Sequence, residues 1–140
     1  MQKGEYKQDR KVRRVEMDLK VRVLIVDDSV LMRNKLVKII ESLHYEVAGM
    51  AEDGTEALKK FDALLPDIVT MDISMPNMNG LQAVEAIIAK HPNANIIMVS
   101  ALNQKKMVLR ALEKGAKHFI IKPFEVERFK EVVEKVLWEM

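Results

Sequence analysis

Five polar residues stand at the ends of short apolar runs and carry side chains suited to phosphoryl chemistry. Asp27 and Asp28 follow the first run, and Asp72 follows the third; Ser100 closes the fourth run and Lys122 follows the fifth. Carboxylates gathered in one place raise one another's pKa values, and a divalent cation with oxygen ligands, usually Mg²⁺ beside phosphate, removes that repulsion. A carboxylate next to such a cation and a lysine can act as a nucleophile and take a phosphoryl group. The set therefore predicts a metal-assisted acidic site.

Each of these residues also has an ordinary structural explanation when it is taken alone. Asp28 or Ser29 can cap a helix after the first run, because their side-chain oxygens accept from free backbone N–H groups. Asp72 can belong to a turn before Pro76, and Ser100 can cap the next helix. A shared site is predicted because every member follows an apolar run in the same way, which separate capping roles do not require.

The apolar runs have the length and composition of buried β-strands. They are rich in β-branched residues and mostly too uniformly apolar for a sheet with one wet face, which is typical of parallel strands covered on both faces. The runs are Val21–Val26, Glu46–Met50, Asp67–Met71, Asn95–Ser100 and His118–Ile121.

Apolar residues at helical spacing fill the intervals between the runs and the stretch after the last one. Leu36, Ile39 and Ile40 mark the first helix, for example. The second is predicted to begin after an N-cap at Asp53 and to reach about Ala63. Gly115 is expected to end the fourth.

Five strand–helix pairs with short connections predict a single α/β domain with right-handed crossovers. In an open parallel sheet the carboxyl ends of the strands meet in one crevice, where the winding direction reverses. With helices on both faces, the first and third strands are expected to be neighbours there. The topology therefore brings the acidic residues, the serine and the lysine together.

Composition excludes several other classes of protein. The chain has 140 residues, 49% of them hydrophobic, and no cysteine, so a disulfide scaffold, a thiolate metal site and a cysteine nucleophile are excluded. Its five glycines form neither a dinucleotide-binding fingerprint nor a P-loop. No apolar run approaches the roughly 18 residues of a membrane helix, and the first twenty residues do not resemble a signal peptide. We expect no membrane insertion and a cytoplasmic location.

The net charge of +2 conceals an asymmetry along the chain. Residues 1–20 hold seven basic and four acidic side chains, a net charge of +3, which leaves −1 for residues 21–140. We expect residues 1–20 to be a disordered or frayed extension and residues 21–140 to form the domain. A basic arm of this kind can also bind phosphates of nucleic acid or of an anionic membrane, but no DNA-binding module is evident, and nucleic acid is not the expected partner.

Four segments resemble a known family in order and spacing. LIVDDS, VTMDISMPNMNG, VSA and FIIKPF resemble the receiver domain of two-component response regulators, from about Val21 to Met140. A stand-alone CheY-like regulator is the form that the chain resembles most. The resemblance implies the flavodoxin-like (βα)5 fold, a doubly wound five-stranded parallel sheet with strand order 2-1-3-4-5.

The resemblance also implies roles for the residues at the strand ends. Asp72 would be the phosphoacceptor. Asp27 and Asp28 would hold Mg²⁺ together with Asp72 and the backbone carbonyl of Ser74. Lys122 would pair with the phosphoryl group.

Two further positions correspond to the residues that change conformation on phosphorylation in this family. Ser100 occupies the place of the hydroxyl residue that moves toward the phosphoryl group, and Phe119 the place of the aromatic switch residue. A tyrosine is usual there in the CheY type, so Phe119 can swing inward but has no hydroxyl to offer a partner. The bond between Lys122 and Pro123 is expected to be cis.

The implied function is a phosphorylation switch in which a histidine kinase is the phosphodonor. The output would be a downstream protein bound on the face of helix four, strand five and helix five, where Met107, Val108 and Leu109 lie. Core packing is expected for at least two of these three. Chemotaxis is the favoured output. The alternatives are a phosphorelay intermediate and an aspartyl-phosphate phosphohydrolase, although enzymes of the latter type carry D-x-D where this chain has Asp27-Asp28.

Overall fold

The computed structural model describes residues 19–139, in which five strands alternate with five α-helices. The strands are β1 Arg22–Val26, β2 Glu46–Ala51, β3 Ile68–Met71, β4 Ile96–Ser100 and β5 His118–Ile121. The helices are α1 Val30–Ser42, α2 Gly54–Leu64, α3 Gly80–Lys90, α4 Lys105–Glu113 and α5 Val126–Glu134. A 3₁₀ turn, Leu102–Gln104, precedes α4, and a π-helical turn, Lys135–Glu139, follows α5. Of the predicted extension only Leu19 and Lys20 lie among the described residues.

All the strands run parallel in the order β2-β1-β3-β4-β5, so the predicted flavodoxin-like fold is confirmed. The strand bounds differ from the predicted ones by a single residue at a few ends. Val21, Asp67 and Asn95 precede their strands, and β2 extends to Ala51. Because β1 and β3 are hydrogen-bonded neighbours, the predicted juxtaposition of the first and third strands is also confirmed.

The central strands bury side chains on both faces of the sheet. Leu24 and Val26 of β1 belong to a core cluster with residues of α2, α3 and α4, whereas Val23 and Ile25 belong to a second cluster with residues of α1 and α5 on the opposite face. This two-sided burial explains why the strand sequences are apolar throughout rather than alternating. It also leaves the strand ends as the place where polar side chains of the central strands can gather.

Local signals set the helix ends. Asp53 caps α2, with its Oδ1 accepting from the N–H of Glu56 at 2.8 Å. Asn79 and Gln82 form a reciprocal capping box at the start of α3. Gly115 follows α4 with a φ of +123°, a left-handed conformation that favours glycine. The predicted N-cap at Asp53 and the helix end at Gly115 are confirmed. Within residues 19–139, the helices are too short or too polar to cross a membrane.

Gly80, the first residue of α3, allows the chain to return close to Asp72. Its N–H donates to the carbonyl of Ile73 at 2.8 Å. A Cβ atom at this position would lie 2.0 Å from the backbone carbonyl oxygen of Asp72. Gly49 differs, because a Cβ there would meet the ends of two leucine side chains, Leu64 at 2.8 Å and Leu24 at 3.6 Å, and no backbone atom that close.

We expect Gly80→Ala to lower the free energy of unfolding by about 2–3 kcal/mol, because backbone atoms must move to accept the methyl group. Gly49→Ala is the matched control and should cost less than about 1 kcal/mol, since a flexible side chain can yield. Urea unfolding followed by circular dichroism measures both changes. Equal losses for the two variants would contradict this account of Gly80.

Candidate functional site

The predicted site residues meet at the carboxyl edge of the sheet. Asp27 and Asp28 follow β1, Asp72 follows β3, Ser100 is the last residue of β4 and Lys122 follows β5. The sheet ladder continues into these residues. The N–H of Asp72 donates to the carbonyl of Val26 at 2.9 Å, and the N–H of Lys122 donates to the carbonyl of Ser100 at 2.9 Å. Their backbones are thus held by neighbouring strands.

Three carboxylates form an acidic cluster at this edge. Asp27, Asp28 and Asp72 each offer an oxygen atom, and these oxygens all lie within 4.8 Å of one another. Asp27 and Asp72 are buried, whereas Asp28 is exposed. Two buried carboxylates with a third at the rim leave the cluster open to solvent on one side.

Lys122 supplies the ammonium group that faces the cluster. Its Nζ donates to Oδ2 of Asp27 at 3.2 Å and lies 3.5 Å from Oδ1 of Asp72. The peptide bond between Lys122 and Pro123 is cis, as predicted. One ammonium group thus contacts two carboxylates and leaves a negative excess in the cluster.

The charge state of Asp72 reflects this excess. Burial, and then the negative charge of Asp27, raises the pKa of Asp72 to about 6, against the opposing effects of Lys122 and of the Ile73 N–H, which donates to its Oδ1 at 2.9 Å. A raised pKa is the expected result of desolvation beside a like charge. The carboxylate is therefore still mostly ionised at neutral pH, but at an energetic cost.

The acidic cluster fits a divalent cation. Mg²⁺ takes carboxylate oxygens together with water and phosphate ligands, and the cluster offers carboxylate oxygens with one open side. A cation there would relieve the repulsion that raises the pKa of Asp72. Ser74, whose backbone carbonyl was predicted as a further ligand, lies at the surface of the loop after Asp72.

Ser100 and Phe119 lie on one face of the sheet. Ser100 pairs with Ile121 of β5. Phe119 lies two residues before Ile121 on the same strand, so its side chain points to the same face of the sheet as that of Ser100. There it packs against the core beneath α2, α3 and α4. The hydroxyl of Ser100 is fully buried and has no hydrogen-bond partner among residues 19–139. An unpaired buried hydroxyl costs about 1–3 kcal/mol, so a hydrogen bond to a new acceptor would stabilise it.

The sequence interpretation missed residues that hold the site loops in place. Arg33 of α1 donates from Nη1 to the backbone carbonyl of Asp27 at 2.7 Å. Asn77, with a φ of +64°, donates from Nδ2 to the Asp53 carboxylate at 2.9 Å. Gln104 donates to the hydroxyl of Ser74. The N-cap at Asp53 was visible in the sequence. The contacts that Arg33, Asn77 and Gln104 make with the site loops were not, because nothing in the sequence spacing indicates them.

The comparisons with known proteins identify the family. The family model described as the response regulator receiver domain matches residues 23–134. The chain belongs to the response regulator receiver family. It is a CheY-like receiver domain, and such domains signal by phosphorylation, as the sequence motifs predicted.

Individual relatives agree with this assignment. The chain is 50% identical to the chemotaxis protein CheY of Listeria monocytogenes over 115 residues, which cover 82% of this chain and 97% of the relative. It is 53% identical to the CheY of Thermotoga maritima over 115 residues, with 82% and 96% coverage. Among solved structures, the CheX-CheY-BeF3-Mg²⁺ complex from Borrelia burgdorferi matches with a TM-score of 0.78 and 40% identity, covering 82% of this chain and 87% of that one.

We expect the metal-free protein to lose stability as pH rises from about 4 to about 6. The folded state, in which the pKa of Asp72 is raised from 3.8 to about 6, binds the proton more tightly than the unfolded chain in this interval. Asp72→Asn should remove this dependence and raise the free energy of unfolding at neutral pH by about 1–3 kcal/mol. Urea unfolding in EDTA across the pH range measures both effects.

The control for this experiment is Glu85→Gln, which removes an exposed negative charge on α3. It should leave the pH dependence between pH 4 and pH 6 as in the wild type. If Asp72→Asn were no more stable than the wild type at neutral pH, that result would contradict the claim that the ionised Asp72 carboxylate destabilises the fold.

Proposed function

We propose that the chain accepts a phosphoryl group on Asp72 from a histidine kinase and then binds a downstream protein through its α4–β5–α5 face. This face comprises residues 105–113, 118–121 and 126–134. The observation that carries the proposal is the buried carboxylate of Asp72, set between two further carboxylates and the Lys122 ammonium. A site of this charge accommodates a cation, and the cation together with Lys122 can then neutralise the added charge of a phosphoryl group.

In the transfer, an oxygen of the Asp72 carboxylate attacks the phosphorus of a phosphohistidine. A P–O bond forms, the P–N bond breaks, and the imidazole nitrogen retains the electron pair and takes up a proton. Ionised Asp72 predominates at neutral pH because its pKa of about 6 lies below that pH. Lys122, already within reach of Asp72, pairs with the developing charge on the phosphoryl oxygens.

Asp27, Asp28 and Asp72, with the backbone carbonyl of Ser74, are the residues that would hold Mg²⁺. When bound, the cation neutralises carboxylate charge and polarises the phosphoryl group. The related CheX–CheY complex from Borrelia contains both Mg²⁺ and BeF3, which supports assigning the same cofactor to this chain.

Ser100 and Phe119 would transmit the change at Asp72 to the surface. The unpartnered hydroxyl of Ser100 gains a hydrogen bond by moving toward a phosphoryl oxygen. Because Phe119 lies on the same face of the sheet, the displacement of Ser100 opens space into which the Phe119 ring can turn. The change is one of packing alone, since phenylalanine carries no hydroxyl.

Helix α4 supplies the features of the output surface. A row of exposed basic side chains, spaced four residues apart, is formed by Lys106 and Arg110 of α4 and by Lys114, which follows the helix. None of the three has an ion-pair partner among residues 19–139. Like charges at this spacing repel one another, so an acidic partner would relieve a cost that the free helix bears. Leu109 is 48% exposed beside this row, whereas Val108 is buried and Met107 packs against the core. The partner we propose is therefore an acidic protein segment with an apolar side chain over Leu109.

The biological setting that we propose is chemotaxis, because the relatives named CheY are similar over almost their whole length. A phosphorelay intermediate is compatible with the same site. We propose a phosphoacceptor switch rather than a phosphohydrolase, since only three residues separate β1 from α1 and leave no room there for a substrate-covering insertion. We further propose a cytoplasmic location, a receiver domain of residues 21–140 and an N-terminal extension of residues 1–20, with nucleic acid not the target.

Asp72→Asn is expected to abolish labelling by a phosphorylated histidine kinase, because the amide is not a nucleophile toward phosphorus. Lys122→Ala should still accept the label but lose the response of the α4–β5–α5 face. Transfer of ³²P followed by gel electrophoresis measures the first property. Full labelling of Asp72→Asn at another residue would overturn the assignment of the phosphoacceptor.

Phe119→Ala is expected to separate ligand binding from the surface response. Beryllofluoride with Mg²⁺ should shift the backbone amide signals of α4 and β5 in NMR spectra of the wild type. In Phe119→Ala the affinity for beryllofluoride should stay within about twofold, while the α4 shifts become smaller. Leu109→Ala, a surface change on α4, should respond like the wild type; full α4 shifts in Phe119→Ala would exclude Phe119 as the coupling residue.

A further inference from the structure

Gln104, the last residue of the 3₁₀ turn before α4, joins the two loops beside the phosphoacceptor. Its Oε1 accepts from the backbone N–H of Ala101 at 3.2 Å, and its Nε2 donates to the hydroxyl of Ser74 at 2.5 Å. Ala101 directly follows Ser100, and Ser74 lies two residues after Asp72. We call these two hydrogen bonds the Gln104 clasp. The clasp connects the loop after β4 to the loop after β3.

While the clasp is formed, the hydroxyl of Ser100 makes no hydrogen bond to the described residues. It is also fully buried. Movement of the backbone at Ser100 and Ala101 would carry the hydroxyl toward a phosphoryl oxygen on Asp72. The N–H of Ala101 is one of the two groups that Gln104 holds, so this movement strains or breaks the clasp.

We propose that the Gln104 clasp holds the loop after β4 in its unphosphorylated position and thereby sets how readily the site takes a phosphoryl group. The inference rests on the proposed roles of Asp72 and Ser100. Gln104 is a positioning residue, because it acts through Ala101 and Ser74 and contacts neither the phosphoacceptor nor the lysine. A hydrogen bond of this kind changes an equilibrium constant about three- to tenfold, so the clasp tunes the switch rather than locking it.

The test measures the affinity for beryllofluoride in the presence of Mg²⁺ by isothermal titration calorimetry. Gln104→Ala removes both bonds and is expected to raise the affinity about three- to tenfold. Ser74→Ala removes one bond, leaves the backbone carbonyl in place, and should raise the affinity by no more than Gln104→Ala does. The double variant should match Gln104→Ala, because the two single changes remove a shared interaction.

Gln82→Ala is the matched control. The Oε1 of Gln82 accepts from the N–H of Asn79 at 3.0 Å in the same capping geometry, but on the exposed first turn of α3. It should leave beryllofluoride affinity unchanged. Urea unfolding without Mg²⁺ provides the second readout. Loss of a clasp that only stabilised the fold would lower stability and leave affinity unchanged, whereas the proposal requires affinity to rise while stability falls.

An unchanged or weaker affinity in Gln104→Ala, or additive effects in the double variant, would overturn the proposal. If Gln104→Ala does not fold, Ser74→Ala decides by the same criterion, and an affinity at or below that of the wild type counts against the clasp. The proposed function has its own mode of failure, which is beryllofluoride binding to Asp72→Asn as tightly as to the wild type. The two results are therefore distinguishable.

Discussion

The chemistry of the site depends on an excess of negative charge that the fold holds at one edge of a parallel sheet. Asp27 and Asp72 are buried side by side at the ends of neighbouring strands, and the single Lys122 ammonium contacts both of them. Folding therefore holds together carboxylates that would separate in water, and the raised pKa of Asp72 is the signature of that constraint. A cation bound here would relieve the repulsion among the carboxylates. A phosphoryl group would add negative charge, which the cation and Lys122 would offset.

The surrounding loops keep the carboxylates from moving apart. Arg33 holds the backbone carbonyl of Asp27, and Gly80 lets α3 begin in contact with the backbone of Asp72. These contacts fix backbone atoms rather than the reactive side chains. The carboxylates themselves accept from neighbouring backbone N–H groups, that of Ser29 for Asp27 and that of Ile73 for Asp72. These contacts fix the cluster at the carboxyl edge of the sheet, where ligands of open parallel sheets bind.

In the proposed switch, the path from the site to the surface runs along the face of the sheet that carries Ser100 and Phe119. A buried hydroxyl without a partner and a half-buried ring occupy adjacent strands beneath α4. The Ser100 side chain is not held by a hydrogen bond within the described residues, so packing and the Gln104 clasp are what oppose its movement. The basic surface of α4 lies next to these two residues, so under the proposed function a change in their packing would alter the surface that α4 presents to a partner.

The sequence by itself determined the fold class, the strand order carried by the family resemblance, the identity of the residues at the strand ends, and the cis bond before Pro123. The fold class and the strand ends follow from local periodicity, whereas the strand order and the cis bond were implied by the resemblance of short motifs to the receiver family. Only the tertiary structure decided that Arg33 holds Asp27, that Gln104 reaches Ser74 and that the Ser100 hydroxyl lacks a partner. The physical reason is that these depend on where side chains from separate loops meet. Gln104 and Ser74 are 30 residues apart, and no spacing within either loop records their contact.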